Sequence, residues 1–480
     1  MEKLSSIVSR VANQTYGHSR RFLPEQPWWN SLEPSFHKFP DDFYLDFKTQ
    51  MMVEGTAALD IGLRTAMASL ASVCCLPFTL SPKQLAEDYQ DRFFYQKLGD
   101  THDPTQFFKK PTEKVVVHRH PAGVMDYKPD DGGRCELLSF ESPFETVNPK
   151  KREDYAKLTH NRTAWAQHWQ HGDKPRPTIC MIHGFMADPY WFNSKWLALP
   201  WFYKQGYDIL LYTLPFHGRR RAPLEPFGGY GYFAHGILHI NEAVAHAVYD
   251  FRLFMDYLES TGVEKMGVTG ISLGGYTSAV LAAVEDRLQF CMPNVPVVSL
   301  VDLLYEWFPV APLVKTGLRM AGINIHEARH TLSVQCPLTY KPKLPKERLM
   351  IISGAGDRLA PPKHSRLLWE HWDRCRLHWF PGNHLLHSDQ GFQYTNKQYH
   401  KKLETFNVTV SHSRKGNCYD NACCENFFSH LKSESLELFV PENETELMQQ
   451  IDDFITWYNF DRPQLKLKGM TPIEYRQTYL

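Results

Sequence analysis

A chain of 480 residues with 43% hydrophobic and 14% aromatic side chains is long enough for two or three domains and a full-sized core, which excludes a single small module and a disordered chain. Lys plus Arg (53) equals Asp plus Glu (53), so no net field draws the protein toward nucleic acid or an anionic membrane. Contacts of either kind must be local.

The opening MEKLSSIVSRVANQTYGHSRR has no continuous apolar run and no small-residue cleavage site, which predicts no secretory leader and a cytoplasmic location. The ten cysteines include two adjacent pairs, Cys74 with Cys75 and Cys423 with Cys424, and no C-x-x-C. That usage predicts reduced packing residues in place of a disulfide frame or zinc site. Residues 1–110 read as a helical N-terminal extension, patterned as helix over 51–81 and 81–95 after the aromatic segment FLPEQPWWNSLEPSFHKFP. Its most apolar stretch, residues 65–80, is shorter than the roughly 20 residues a spanning helix needs, and Asp60 and Arg64 come just before it. It predicts a buried helix and no transmembrane segment, and it leaves peripheral membrane contact open.

From Lys114 the texture changes to short β-type runs separated by helical ones: KVVVH, CELLSF, TICMIH, YDILLYT, KMGVTG, FCMPNV, RLMIISG and RLHWF. This alternation predicts an α/β domain over residues 111–387 with a mostly parallel central sheet. Such sheets carry their sites at the carboxyl ends of strands. KMGVTG leads into the G-x-S-x-G of Gly270 to Gly274 and then a helical run. A strand-to-helix turn of that kind holds the serine Oγ out and leaves little room beside it, so Ser272 is the predicted nucleophile. RLMIISG runs into Asp357 and RLHWF into His384, which predicts a base and the acid that orients it. Asp302, following the preceding strand, is the alternative acid. TICMIH ends in His183, Gly184 and Phe185, and the backbone N–H groups of Phe185 and Leu273 are the predicted oxyanion donors, with His183 shaping the turn. A second pair, His217 and Gly218, reads as loop architecture, and Arg219 to Arg221 as a solvated run or, alternatively, a clamp for an acidic substrate. The apolar stretch 300–323 is either a lid over an acyl pocket or core helix.

HGF, GISLGG, GAGDRLAPP and PGNH, in that order across residues 114–387, resemble the serine-hydrolase branch of the α/β-hydrolase superfamily. The resemblance implies an α/β-hydrolase fold, a small-molecule ester or acyl substrate, an acyl-enzyme on Ser272 formed with His384 and Asp357, and no metal or organic cofactor.

From His387 onward the subject changes. HSDQGFQYTN, SHSRKGNCYDNACCENFFSHLKSE, YNFDRPQ and MTPIEY resemble the carboxyl-terminal part of the integrase core of insertion-sequence transposases, the DDE recombinases. Residues 388–480 are therefore expected to be a partial RNase H-like fragment. Asp389 and Glu425, with 35 residues between them, map onto the second and third of that family's metal-holding carboxylates. The first carboxylate and its sheet would lie upstream, where the hydrolase motifs stand, so the fragment is expected to be inactive. Metal-dependent DNA strand transfer and a catalytically dead fusion are the rival readings. Nucleic-acid contact remains open through the fragment's basic runs, 397–402 and SRKG. A helix over 394–406, with Tyr399, Leu403 and Phe406 on one face, is expected to cover the hydrolase sheet beside His384.

Overall fold

A computed structural model describes residues 26–40, 43, 47–123, 133–172, 174–187, 189–380, 382–384, 430–431, 434–435, 443–464 and 467–479. They fall into two compact units, Met1–His387 and Ser388–Leu480.

In the first unit nine strands form one sheet: β1 His118–Pro121, β2 Arg134–Glu141, β3 Thr163–Gln170, β4 Thr178–Ile182, β5 Asp208–Thr213, β6 Met266–Ile271, β7 Leu288–Asn294, β8 Met350–Gly354 and β9 Arg376–Phe380. The helices framing the site are α1 Phe47–Cys74, α2 Pro82–Asp100, α3 His239–Ser260, α4 Leu273–Val284, α5 Leu300–Glu306, α6 Val310–Met320, α7 Ile325–Thr331 and α8 Pro362–His371. The sheet order is β1-β2-β3-β5-β4-β6-β7-β8-β9. The first three strands pair antiparallel with one another and β3 with β5; all pairs from β5 to β9 are parallel. This is the mostly parallel α/β sheet that the alternating runs predict.

The run β5, DILLYT, is apolar almost throughout because helices cover both faces of a parallel sheet. Its side chains alternate between two cores. Leu210 and Tyr212 join Cys180 and Ile182 of β4 against α3 and α4, while Ile209 and Leu211 join Ile179 and Met181 against Leu199 and Tyr203. Each such side chain, fully buried, contributes roughly 1.5–3 kcal/mol. Two strands differ from expectation. KVVVH becomes strand only at His118. β3, TAWAQHWQ, is an additional central strand whose Gln167, His168 and Trp169 are all buried. Its polar residues hide it in the sequence, and Trp169 Nε1–H satisfies Gln167 Oε1 at 3.0 Å within the strand.

The N-terminal residues are part of this unit's core. Trp29 is buried and stacks on the His330 ring at 4.7 Å, and Trp28 Nε1–H donates to Thr339 Oγ1 at 2.9 Å. Ser81 caps α2 by accepting the Gln84 N–H, with Pro82 at the first helical position, where a missing N–H costs no bond. The apolar stretch 65–80 is buried on one side only: Ala68 and Cys75 are enclosed, whereas Val73 is 75% and Phe78 59% exposed. Among the described residues no helix is long and apolar enough to cross a membrane.

In the second unit, α9 Glu444–Phe460 starts at Asn443, whose side chain accepts the Glu446 N–H at 2.9 Å, and α10 Pro472–Tyr479 follows. Arg462 Nη2 pairs with Glu434 Oε1 at 2.7 Å. Asp389, Glu425 and the helix expected over 394–406 lie outside the described residues.

Candidate active site

β6 ends at Ile271 and α4 begins at Leu273, so the chain must reverse at Ser272, which takes φ 56° and ψ −112°. A non-glycine residue held there costs about 1–3 kcal/mol unless its surroundings fix it. Hydrogen bonds on both sides do so: Ser272 N–H donates to Asn294 O at 3.0 Å, and Tyr276 N–H to Ser272 O at 2.8 Å. The flanking glycines permit the turn. A Cβ at Gly274 would stand 2.1 Å from Ile182 O, and one at Gly270 2.5 Å from Gly274 C. Ser272 is thereby lifted out between β4 and β7.

After β8 the chain turns through Asp357, which is fully buried. Its Oδ1 accepts the N–H groups of Leu359 at 2.9 Å and Ala360 at 2.8 Å, and its Oδ2 lies 2.7 Å from His384 Nδ1. A carboxylate can only accept, so Nδ1 carries the proton and Nε2 is left to act as a base. Burial opposes the imidazolium, but the Asp357 charge, its hydrogen bond and the charge of Asp60 outweigh that, holding the His384 pKa above the ordinary imidazole value.

Ser272, Leu273, Gly184, Phe185 and His384 line one cavity of about 470 Å³. A Cβ at Gly184 would lie 3.6 Å from Ser272 Cβ, so the loop after β4 runs directly beside the serine. Leu273 opens α4, where N–H groups have no helical acceptor of their own. Elsewhere the cavity is mostly apolar, with Asp88, Arg92 and Asn193 among its few polar lining residues. Met67 and Ala71 come from α1, and Leu304, Trp307, Val310 and Val314 from the 300–323 stretch, which forms α5 and α6. Trp307 Nε1–H donates to Leu359 O at 3.2 Å and so ties this covering to the acid loop.

Asp302, the alternative acid, is placed elsewhere. It is fully buried against Arg329 of α7, with Oδ1 2.7 Å from Nη2 and Oδ2 3.0 Å from Nε. His183 shapes its turn: Nδ1–H donates to Gly184 O at 2.8 Å and Nε2 accepts the Leu214 N–H at 3.1 Å. The arginine run is solvated only in part: Arg219 is exposed as expected, but its neighbour is not. Arg220 is 1% exposed, with Nη2 2.7 Å from Asp250 Oδ2 and 2.8 Å from Asn161 O. The one-turn helix at Gly218–Arg220 swings it inward, and the buried charge is tolerated because Asp250 compensates it. That placement also removes Arg220 from any substrate clamp.

One residue at the site was not anticipated. Asp60 of α1 is fully buried, and its Oδ2 accepts the N–H of His384 at 2.9 Å and of Arg358 at 3.0 Å. Burial, and next the charge of Asp357, push its pKa up to about 6. Its only signal in the sequence is an acid set among the apolar residues of a helix.

The first unit has the α/β-hydrolase fold, and the chain continues into an integrase core segment: residues 425–480 match the family described as "Integrase core domain". Over 299 residues the chain is 28% identical to "Uncharacterized protein MT2702" of Mycobacterium tuberculosis (strain CDC 1551 / Oshkosh), covering 61% of this chain and 68% of that protein. Over 97 residues it is 50% identical to "Putative transposase InsK for insertion sequence element IS150" of Escherichia coli (strain K12), covering 20% of this chain and 34% of that protein. The chain thus spans about a third of the transposase's length. A crystal structure of acetyl xylan esterase 1 from Thermoanaerobacterium sp. JW/SL YS485 superposes with a TM-score of 0.45 at 14% identity, covering 66% of this chain and 94% of that one.

Proposed function

We propose that the first unit is a serine-dependent hydrolase of esters or related acyl compounds with an apolar acyl group. The observation that carries this reading is the 2.7 Å bond from Asp357 to His384, at a cavity into whose wall a strained turn sets Ser272. Ser272 Oγ attacks the acyl carbonyl while His384 Nε2 takes its proton, and the Asp357 carboxylate stabilises the imidazolium. The N–H groups of Phe185 and Leu273 hold the oxyanion. His384 returns the proton to the departing alcohol, leaving the acyl group on Ser272. Water, deprotonated by the same imidazole, then releases the acid and restores the serine.

A fluorophosphonate probe is expected to label the wild-type protein once per chain and to leave Ser272→Ala unlabelled. Label retained in Ser272→Ala would place the nucleophile elsewhere. The apolar walls also set a substrate trend. Burying one more CH₂ contributes about 0.8 kcal/mol, up to about fourfold in kcat/KM, until the cavity is full. Across a series of nitrophenyl esters, kcat/KM is expected to climb from acetyl toward medium chain lengths. A maximum at acetyl would refute the acyl assignment of this cavity.

The integrase-like segment is read as catalytically silent. In-line phosphoryl transfer needs a metal pair clamped by three carboxylates, and Asp389 and Glu425 supply two. In this chain the residues that precede them build the hydrolase sheet.

A further inference from the structure

The histidine and its acid stand on separate loops, after β9 and β8, which meet directly where Gly356 N–H donates to Gly382 O at 2.7 Å, and a second tie between them comes from neither. Asp60 and Arg64 are one helical turn apart on α1 and so face the same way. Asp60 Oδ2 accepts the backbone N–H of Arg358, the residue after Asp357, at 3.0 Å, and Arg64 Nη1 donates to the Arg358 carbonyl at 3.0 Å. The helix therefore grips both polar backbone groups of Arg358 in the acid loop. With the same Oδ2 it holds the N–H of His384 at 2.9 Å. The other oxygen, Oδ1, is buried and has no hydrogen-bond partner among the described residues. An unpaired buried carboxylate oxygen works against folding, and a neutral amide could accept the same two N–H groups. Packing alone does not account for the charge.

We propose that Asp60 and Arg64 are positioning residues of the hydrolase site, fixing the acid and histidine loops to each other and setting a second negative charge beside the imidazole. This inference rests on the reading of Ser272, His384 and Asp357 given above. The charged groups around Asp60 are Asp357, His384, Arg64 and Arg358, with Glu306 beyond Arg64 and itself paired to Lys363 at 2.9 Å. With a pKa near 6, Asp60 is ionised at neutral pH and there joins Asp357 in favouring imidazolium. Taking that charge away lowers the His384 pKa, so the acid limb of the pH profile moves down. The linkage to stability has the opposite sense. Because folding raises the Asp60 pKa, its penalty grows as pH rises from about 4 to about 6, and is full above that.

The test uses the full chain with Asp60→Asn and Asp60→Ala. In Asp60→Asn the acid limb of kcat/KM is expected to fall by about half to one pH unit, with a melting temperature at pH 8 no lower than wild type. In Asp60→Ala, which also removes the acceptor, kcat is expected to drop about 10- to 100-fold at similar KM, because the loops lose their register. Asparagine should recover most of that loss. An unmoved limb in Asp60→Asn together with an unchanged kcat in Asp60→Ala overturns the proposal. The imidazole titration of His384, followed by NMR and assigned by its loss in His384→Gln, needs no turnover. A lower value in Asp60→Asn supports the positioning role even if Ser272 takes no probe, which would sink the hydrolase reading alone. An unmoved titration together with an unchanged kcat in Asp60→Ala overturns the positioning role.

Discussion

Asp357→Asn is expected to lower kcat on a short-chain aryl ester by about 10⁴-fold while the protein stays folded. The reason lies in which atoms the carboxylate serves. Oδ1 accepts the Leu359 and Ala360 N–H groups, and the amide oxygen of asparagine will keep that place. The amide NH₂ then faces His384 Nδ1, now 2.7 Å from Oδ2. A donor at that distance forces the imidazole to accept on Nδ1 and carry its proton on Nε2. In that tautomer it cannot take a proton from Ser272, and the charge that would steady the imidazolium is gone. Steady-state kcat compared with the melting curve checks this. A loss below tenfold in a folded variant would remove Asp357 from the role of orienting acid.

Asp302→Ala is expected to act on stability instead, by about 3–5 kcal/mol, the usual effect of leaving a buried charge without its partner. Both Asp302 and Arg329 are fully buried, and their two contacts of 2.7 and 3.0 Å form a fork. Arg329 also donates to Leu32 O at 2.6 Å and Glu33 O at 2.9 Å, so its guanidinium stays inside when the carboxylate is removed, and stays charged. The urea midpoint should fall sharply, while probe labelling per folded molecule persists. A variant that melts like wild type but does not turn over would make Asp302 the acid after all.

These two aspartates mark where reading the chain stops. Both follow strands, so by position alone each can serve a histidine. What separates them is a partner 27 residues away in each case, Arg329 for one and His384 for the other. Ser272 was easier, because its turn is specified by residues within four positions of it. β3 escaped because glutamine and histidine in a central strand look like surface residues until both faces prove to be covered. Arg220 was misjudged for a related reason: a run of three arginines says nothing about which of them a one-turn helix aims inward. Asp60 was beyond reach, since nothing near it in the chain indicates two loops some 300 residues away.

That separation has a consequence for biosynthesis. The bond from Asp60 to His384 closes 324 residues of chain, and the one from Trp28 to Thr339 closes 311. Closing so long a loop adds only a modest entropy cost, but pairings this distant form late. On a ribosome adding about 5–20 residues per second, α1 leaves the tunnel roughly 16 to 65 s before the loop it must grip. Until the later parts of the cavity wall are made, Met67, Ala71 and their neighbours present their apolar side chains to whatever is near, which makes the nascent helix a natural client for a chaperone.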